Sequence, residues 1–222
     1  MFDDIHGRYD LLNSIISFGQ DRSWRKLATR HIPASGIIVD LCSGGGELAL
    51  ELFRRHDFTG LVVLADVSRG MLSLSHNLVI RKYGERCFAV ICDVEKLPFK
   101  NDVFVAGMSA FCLRNLSDLA AFSQEVNRTL MPDGAASHLE IAHPENAILS
   151  ALFELYFYKV SPLIARVITS KAYAYRYLPA SLKSFPSQER VCEILGRGWR
   201  HSEYRNILGG IAAVYALRKG ER

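Results

Sequence analysis

No two of the five cysteines in this 222-residue chain are separated by two residues, so the sequence holds no C-x-x-C motif. Cys42, Cys87, Cys92, Cys112 and Cys192 are odd in number, which argues against a disulfide framework and for reduced thiols in a cytosolic protein. Cys42 and Cys112 read as buried thiols, the usual state of free cysteine. The seven histidines are scattered without metal-ligand spacing, and no metal is expected. Basic residues form no dense block and the net charge is a mild +4, so charge supplies no argument for a nucleic-acid partner. The longest apolar region, 148–168, carries Glu154, Lys159, Pro162 and Arg166, too many interruptions for a membrane-crossing helix. The opening MFDDIHGRYD is polar and acidic, unlike a secretion signal. Neither repeats nor a low-complexity linker divide the chain. Its 49% hydrophobic residues suffice for one domain with a large core.

What is present is concentrated in Ile37 to Glu47, IIVDLCSGGGE. Ile37 to Asp40 reads as a buried strand closed by an acid, followed by three glycines and an apolar helix start. Glycine lets the backbone turn sharply and approach a ligand closely, and a strand–loop–helix unit aims free N–H groups at whatever occupies the helix N-terminus. Strands are expected at 37–41, 61–66, 87–92, 103–109 and 135–141, and helices at 47–55, 69–82 and 118–130. This alternation predicts a parallel sheet with helices on both faces. Residues 3–31 read as one or two helices broken at Gly19, with Leu11, Leu12, Ile15, Ile16, Trp24 and Leu27 as the apolar positions. Pro132-Asp133-Gly134 reads as a turn before the fifth strand. A helical segment over 145–170 follows. A final helix then leads to two strands, 203–207 and 211–218, joined through Gly209-Gly210 as an antiparallel hairpin.

Two cofactor types compete for the glycine loop. Gly44, Gly46 and Ala49 match the spacing of the dinucleotide fingerprint, and Asp66 lies 20 residues past Gly46, where an acid suits ribose hydroxyls. Glu47, however, stands where a pyrophosphate would approach. Asp40, Asp66 and Asp93 close three successive strands, and ligands of open α/β sheets lie beyond those strand ends. Acids in register suit a cationic nucleoside such as S-adenosylmethionine better than a diphosphate. Each acid alone reads equally well as a turn former or helix cap.

The segments FDDIHGRYDLLNSIISFGQDRSWR, VDLCSGGGELA, ADVSRGML, CDVEKLPF, FCLRNLSD, YRYLPASLKSFPSQE and NILGGIAAVYALRKG span nearly the whole chain. Together they resemble the class I S-adenosylmethionine-dependent methyltransferases, and more narrowly the UbiE family of menaquinone and ubiquinone C-methyltransferases. The glycine loop is specific only to the superfamily; YDLLN, LRNLSD and YRYLP narrow it. The resemblance implies a Rossmann-like, seven-stranded, mostly parallel sheet with an antiparallel C-terminal hairpin. It divides a single domain, 1–222, into an N-terminal helical lid (1–35), a cofactor-binding core (36–144), a helical insertion (145–185) that completes the lid, and a C-terminal helix and strands (186–222).

It also implies a site. Asp40, Gly44, Gly45 and Gly46 would hold the methionine part of S-adenosylmethionine, and Asp66 with Val67 the ribose. Asp93 and Val94 would bracket the adenine, with Met71 packed on it. Ser109 and Ala110 would line the cofactor at the fourth strand. Arg114, Tyr9 and Asp10 are the implied catalytic residues, with His6 a further candidate base. Asn13, Asn115, Tyr175, Arg176 and Tyr177 would cover the acceptor. Departures from the family pattern are Gly45 for Thr, Ala110 for Ser, Cys112 for Gly, Tyr215 for a frequent His, and Lys171 and Tyr173 for acids. Glu140 is kept, but EIAHP, which it opens, stands for E-F-S-K-P. Methyl transfer needs the acceptor aligned and water excluded, and a cation such as Arg114 would hold a phenolate oxygen. The expected reaction is ring C-methylation of a prenylated quinol precursor, demethylmenaquinol foremost. Another small apolar acceptor and a weakly catalytic scaffold of quinone biosynthesis are the alternatives. The aromatic residues of 153–177 suit an apolar tail or a peripheral contact with the inner face of the membrane, and the apolar surface of 145–175 suits a homodimer.

Overall fold

The computed structural model describes Ser17, residues 19–160 and residues 181–221. The expectations for residues 3–16, for 161–180 and hence for Tyr9, Asp10, Asn13, Tyr175, Arg176 and Tyr177 lie outside the described residues.

Strands β1 (Ile37–Leu41), β2 (Leu61–Asp66), β3 (Cys87–Ile91), β4 (Phe104–Ala110), β5 (Leu130–Ile141), β6 (His201–Ile207) and β7 (Ala212–Arg218) build one sheet in the order β3-β2-β1-β4-β5-β7-β6. The first five run parallel, and β7 runs antiparallel between β5 and β6. Strand order reverses between β1 and β4, which pair directly with Leu41 opposite Ser109. A crevice opens at such a switch point beyond the carboxyl ends of the strands.

Helices α1 (Asp21–Ala28), α2 (Glu47–Phe53), α3 (Arg69–Ser75), α4 (Leu119–Thr129), α5 (Ala147–Leu155) and α6 (Gln188–Leu195) surround the sheet. Side chains of a strand alternate between faces, and two core layers follow. Ile38, Val62 and Leu64 pack with Trp24 and Leu52 on one side, while Val39, Leu41 and Ala65 pack with Phe122 and Val126 on the other. Both faces being covered explains why β1 reads as a continuous apolar run rather than an alternating one. Phe122 is fully buried, and truncating it to alanine would cost roughly 3–5 kcal/mol.

Two local expectations need correction. The fifth strand begins at Leu130, and Pro132-Asp133-Gly134 lies inside it as an irregularity, with Phe104 opposite Leu130 but Ala106 opposite Ala135. Asp133 takes a positive φ of 56°, which absorbs the extra residues without ending the strand. The helix expected over 69–82 is interrupted by a π turn at His76–Ile80 before a last turn at Arg81–Tyr83. Helix starts follow the capping side chains: Ser68 accepts from the Met71 N–H, and Asp118 accepts from those of Ala120 and Ala121.

Candidate active site

A cavity of about 330 Å³ lies beyond the ends of β1, β2, β3 and β4. Asp40, Cys42, Ser43, Gly44 and Glu47 reach it from β1 and its glycine loop, and Asp66, Val67 and Met71 from β2 and α3. Cys92 to Glu95 line it after β3, and Ala110, Phe111, Cys112 and Asn115 to Ser117 after β4. Arg25 enters from α1.

The glycine loop is shaped by backbone that only glycine holds cheaply. Gly46 caps α2 at φ 88°, and a Cβ there would meet Val79 Cγ2 at 2.8 Å. The Gly44 N–H donates to Asp66 Oδ2 at 2.9 Å, while Asp66 Oδ1 accepts from the Ser68 N–H at 2.8 Å. Asp66 thereby ties the β1 loop to the start of α3 while facing the cavity. A carboxylate has about four lone-pair sites, so holding these amides and meeting hydroxyls in the cavity are compatible. Met71 packs against Gly44, with its Cε 3.0 Å from where a Cβ would stand. A Cβ at Gly45 would meet the Glu47 carboxylate, the movable end of a long side chain.

Asp40 is buried and half satisfied. Its Oδ2 accepts from the Ala49 N–H at 3.1 Å, whereas Oδ1 has no hydrogen-bond partner. Burial pushes its carboxyl up to about 7; the Ala49 N–H and Arg25 oppose the rise, and Asp66 adds to it. Ser43 Oγ and Arg25 Nε are likewise buried without a partner. Glu95 closes the far side by accepting from the Ser117 N–H at 2.6 Å and the Ser117 hydroxyl at 2.5 Å, which fastens the β3 loop to the β4 loop. Asp93 accepts from the Glu95 N–H at 2.9 Å. The Cys42 thiol is held well above the ordinary cysteine range, first by its hydrogen-bonding contact with Cys112 and then by burial.

Several expected residues therefore meet in one place: Asp40, Gly44, Asp66, Val67, Met71, Asp93, Val94, Ala110 and Asn115 all line the cavity. Gly45 and Gly46 shape the loop without lining it. Ser109 is placed elsewhere, fully buried and 2.9 Å from His138 Nδ1, because it points to the sheet face opposite Ala110. Arg114 is also placed differently. Its side chain is 3% exposed and pairs with the buried Glu140, and its guanidinium donates to the Phe111 carbonyl at 3.2 Å. It does not line the cavity. Reasoning from sequence missed Arg25, Phe111, Glu95 and Ser117 as lining residues. The only signal for Arg25 was its place in the DRSWR segment, since nothing in the sequence brings α1 over β4.

A Rossmann-like sheet with a carboxylate-lined crevice at its switch point defines a nucleoside-cofactor enzyme of the class I methyltransferase type. The fold matches that of a Haemonchus contortus phosphoethanolamine N-methyltransferase solved with S-adenosyl-L-methionine. That match has a TM-score of 0.68 and 14% identity, covering 100% of this chain and 60% of that one. The model of the ubiE/COQ5 methyltransferase family matches residues 1–219, and the chain belongs to that family. It is 37% identical to the ubiquinone/menaquinone biosynthesis C-methyltransferase UbiE of Geobacter sulfurreducens, over 99% of this chain and 87% of that protein. With the demethylmenaquinone methyltransferase of Mycolicibacterium paratuberculosis it shares 35% identity, over 100% of this chain and 94% of that one.

Proposed function

We propose that this chain is an S-adenosylmethionine-dependent C-methyltransferase that methylates the ring of a prenylated quinol, demethylmenaquinol foremost. One observation carries the cofactor: five carboxylates (Asp40, Glu47, Asp66, Asp93 and Glu95) and one guanidinium line the cavity among the described residues. That lining suits a net cation and repels a diphosphate. The buried, unpartnered Asp40 Oδ1 and Ser43 Oγ are acceptors awaiting donors, since such atoms are rarely left unpaired. Asp66 would hold the ribose hydroxyls, the Val94 amide with Asp93 the adenine, and the glycine loop the amino-acid end. S-adenosylmethionine supplies an electrophilic methyl group on a sulfonium.

The chain's own contribution is placement and exclusion of water. Phe111, Cys112 and Leu116 give the cavity apolar wall on the β4 side, and Asn115 offers a polar side chain there, its amide 3.4 Å from the Phe111 carbonyl. Arg114 fixes this loop from behind: its N–H donates to Glu140 Oε2 at 3.2 Å and its guanidinium holds both Glu140 and the Phe111 carbonyl. In this reading Arg114 is a positioning residue for the Phe111–Asn115 turn. Tyr9, Asp10, Asn13, Tyr175, Arg176 and Tyr177 complete the acceptor side as the family resemblance implies.

The reaction is tested by incubating the protein with S-adenosylmethionine and a short-tailed demethylmenaquinol under reducing conditions, followed by mass spectrometry. A ring-carbon methyl product is expected; cofactor binding without product would move the acceptor to another apolar molecule. Contact with a membrane surface rests on α5. There Ile148, Leu152 and Leu155 are 74%, 59% and 51% exposed at helical spacing on one face, while no described helix is long and apolar enough to cross a membrane. Cosedimentation with anionic vesicles should be lost in Ile148→Glu/Leu152→Glu. A homodimer through the same face would instead appear as a concentration-dependent mass.

A further inference from the structure

Arg25 is a buried cation whose structural contacts leave a donor unmet. It is 4% exposed, and its ion pair with Asp21 is loose, Oδ2 lying 3.9 Å from Nε, beyond hydrogen-bonding reach. Nε has no hydrogen-bond partner. The guanidinium carbon sits 5.0 Å from the centroid of the Phe111 ring, a cation–π placement that orients the plane but satisfies no donor. Buried arginine is almost always paired, and removing a guanidinium from water without acceptors is strongly unfavourable. The group faces the cavity, where it is the sole cation among the described lining residues.

What it faces is informative. Arg25 acts electrostatically on Asp40, whose Oδ1 is also buried and unpartnered. A guanidinium with an unmet buried N–H and a carboxylate with an unmet buried oxygen, both lining one cavity, are together complementary to a zwitterion. A phenolate oxygen would satisfy Arg25 and be repelled by Asp40; a free α-amino acid satisfies both, ammonium toward the carboxylate and carboxylate toward the guanidinium. We infer that Arg25 is the carboxylate-binding residue of this site and that it selects, with Asp40, the amino-acid end of the methyl donor. The planar fork suits a carboxylate through two parallel N–H donors, with Phe111 as the platform that keeps the fork in plane. This inference rests on the S-adenosylmethionine reading given above.

The test is a ligand-by-variant cycle measured by calorimetry. Wild type and Arg25→Gln are titrated with S-adenosylmethionine, S-adenosylhomocysteine and decarboxylated S-adenosylmethionine. Wild type should prefer S-adenosylmethionine over its decarboxylated form by roughly 10- to 100-fold, the effect of one charge-assisted bidentate contact. Arg25→Gln should lose that factor for both carboxylate-bearing ligands and lose nothing for the decarboxylated one. Equal binding of the first and third ligands by wild type overturns the inference, and this comparison needs no variant. An equal loss for all three ligands in Arg25→Gln also overturns it, since that marks a general packing role. So does unchanged cofactor affinity with a raised KM for the quinol, which would assign Arg25 to the acceptor. Should Arg25→Gln fail to fold, Arg25→Lys, which keeps the charge and loses the fork, should show an intermediate preference. Failure of both S-adenosylmethionine and S-adenosylhomocysteine to bind wild type would remove the cofactor reading and this one together. Binding without a carboxylate preference would remove this one alone.

Discussion

Asp40→Asn should stabilise the protein without ligand and weaken it as a cofactor binder, and the first effect can be sized. Burial raises the Asp40 carboxyl from 3.8 to about 7. Between those values the native state keeps a proton that the unfolded chain has released, so the contribution of Asp40 to stability falls as pH rises through the window and is fully lost above about 7. At 1.36 kcal/mol per pH unit the loss amounts to roughly 4 kcal/mol. Asparagine cannot ionise, and it preserves the acceptor for the Ala49 N–H. The variant should match wild type near pH 4 and melt higher at pH 8, by on the order of 10 °C for a chain of this size. Cofactor binding should reverse the order. A cation beside Asp40 favours its ionised form, so binding to wild type should release roughly half a proton at pH 7, and affinity should rise as pH increases toward 8. Calorimetry in two buffers of different ionisation enthalpy reads the proton, and thermal melts across pH read the stability. A variant that melts at or below wild type at pH 8, or proton-neutral binding near pH 7, would refute the reasoning.

His138 supplies the opposite slope: burial lowers its pKa from 6.5 to about 3, so its contribution is lost as pH falls through that window. The two slopes cancel between about pH 4 and 6.5; ligand-free wild type should be flat there, Asp40→Asn should gain stability with rising pH, and His138→Gln should lose it, as denaturant midpoints will report. Gly46→Ala forces a Cβ onto Val79 at φ 88°, and should cost about 1–3 kcal/mol with loss of cofactor binding. Arg114→Met strands the buried Glu140 and should cost about 3–5 kcal/mol. If Arg114 acts by holding the loop, Glu140→Gln should lower turnover comparably while cofactor affinity stays largely intact; a loss confined to Arg114 variants would mean direct contact with the acceptor.

The sheet was legible because its signals are local. A run such as Ile37 to Leu41 between turn residues can only be a covered strand, and acids at successive strand ends mark the crevice wherever the helices lie. The bulge at Pro132-Asp133-Gly134 was not legible, since the same residues make a turn when nothing pairs beyond them; here Lys219 donates its N–H to the Gly134 carbonyl at 2.9 Å and keeps the segment in the sheet. The placement of Arg114 and Ser109 depended on partners 26 and 29 residues away, Glu140 and His138. No spacing rule predicts which of several adjacent polar residues a buried partner will claim. Arg25 was hidden for the same reason, being brought to the cavity by how α1 packs and not by its own segment.

Burial, helped by the acids that attract a cationic methyl donor, raises thiols that share the cavity with it. Cys42, Cys92 and Cys112 line the same cavity, and a thiolate is a far better methyl acceptor than a quinol carbon. Burial, Asp66 and then Asp93 push the Cys92 thiol up to about 11. Contact with Cys112 and burial, with smaller effects of Asp66 and Asp40, hold Cys42 well above the ordinary cysteine range. At neutral pH a thiol at about 11 is ionised in roughly one molecule in ten thousand, and nucleophilicity resides in the thiolate. Wild type incubated with S-adenosylmethionine and no acceptor should therefore gain no methyl group by intact mass at pH 7. Raising the pH toward 10 should bring methylation at Cys92. Asp66→Asn/Asp93→Asn, which removes both neighbouring charges, should shift that onset to lower pH under saturating cofactor. Rapid methylation of wild type at pH 7, or an onset that the double substitution leaves in place, would mean that the acidic lining serves attraction alone.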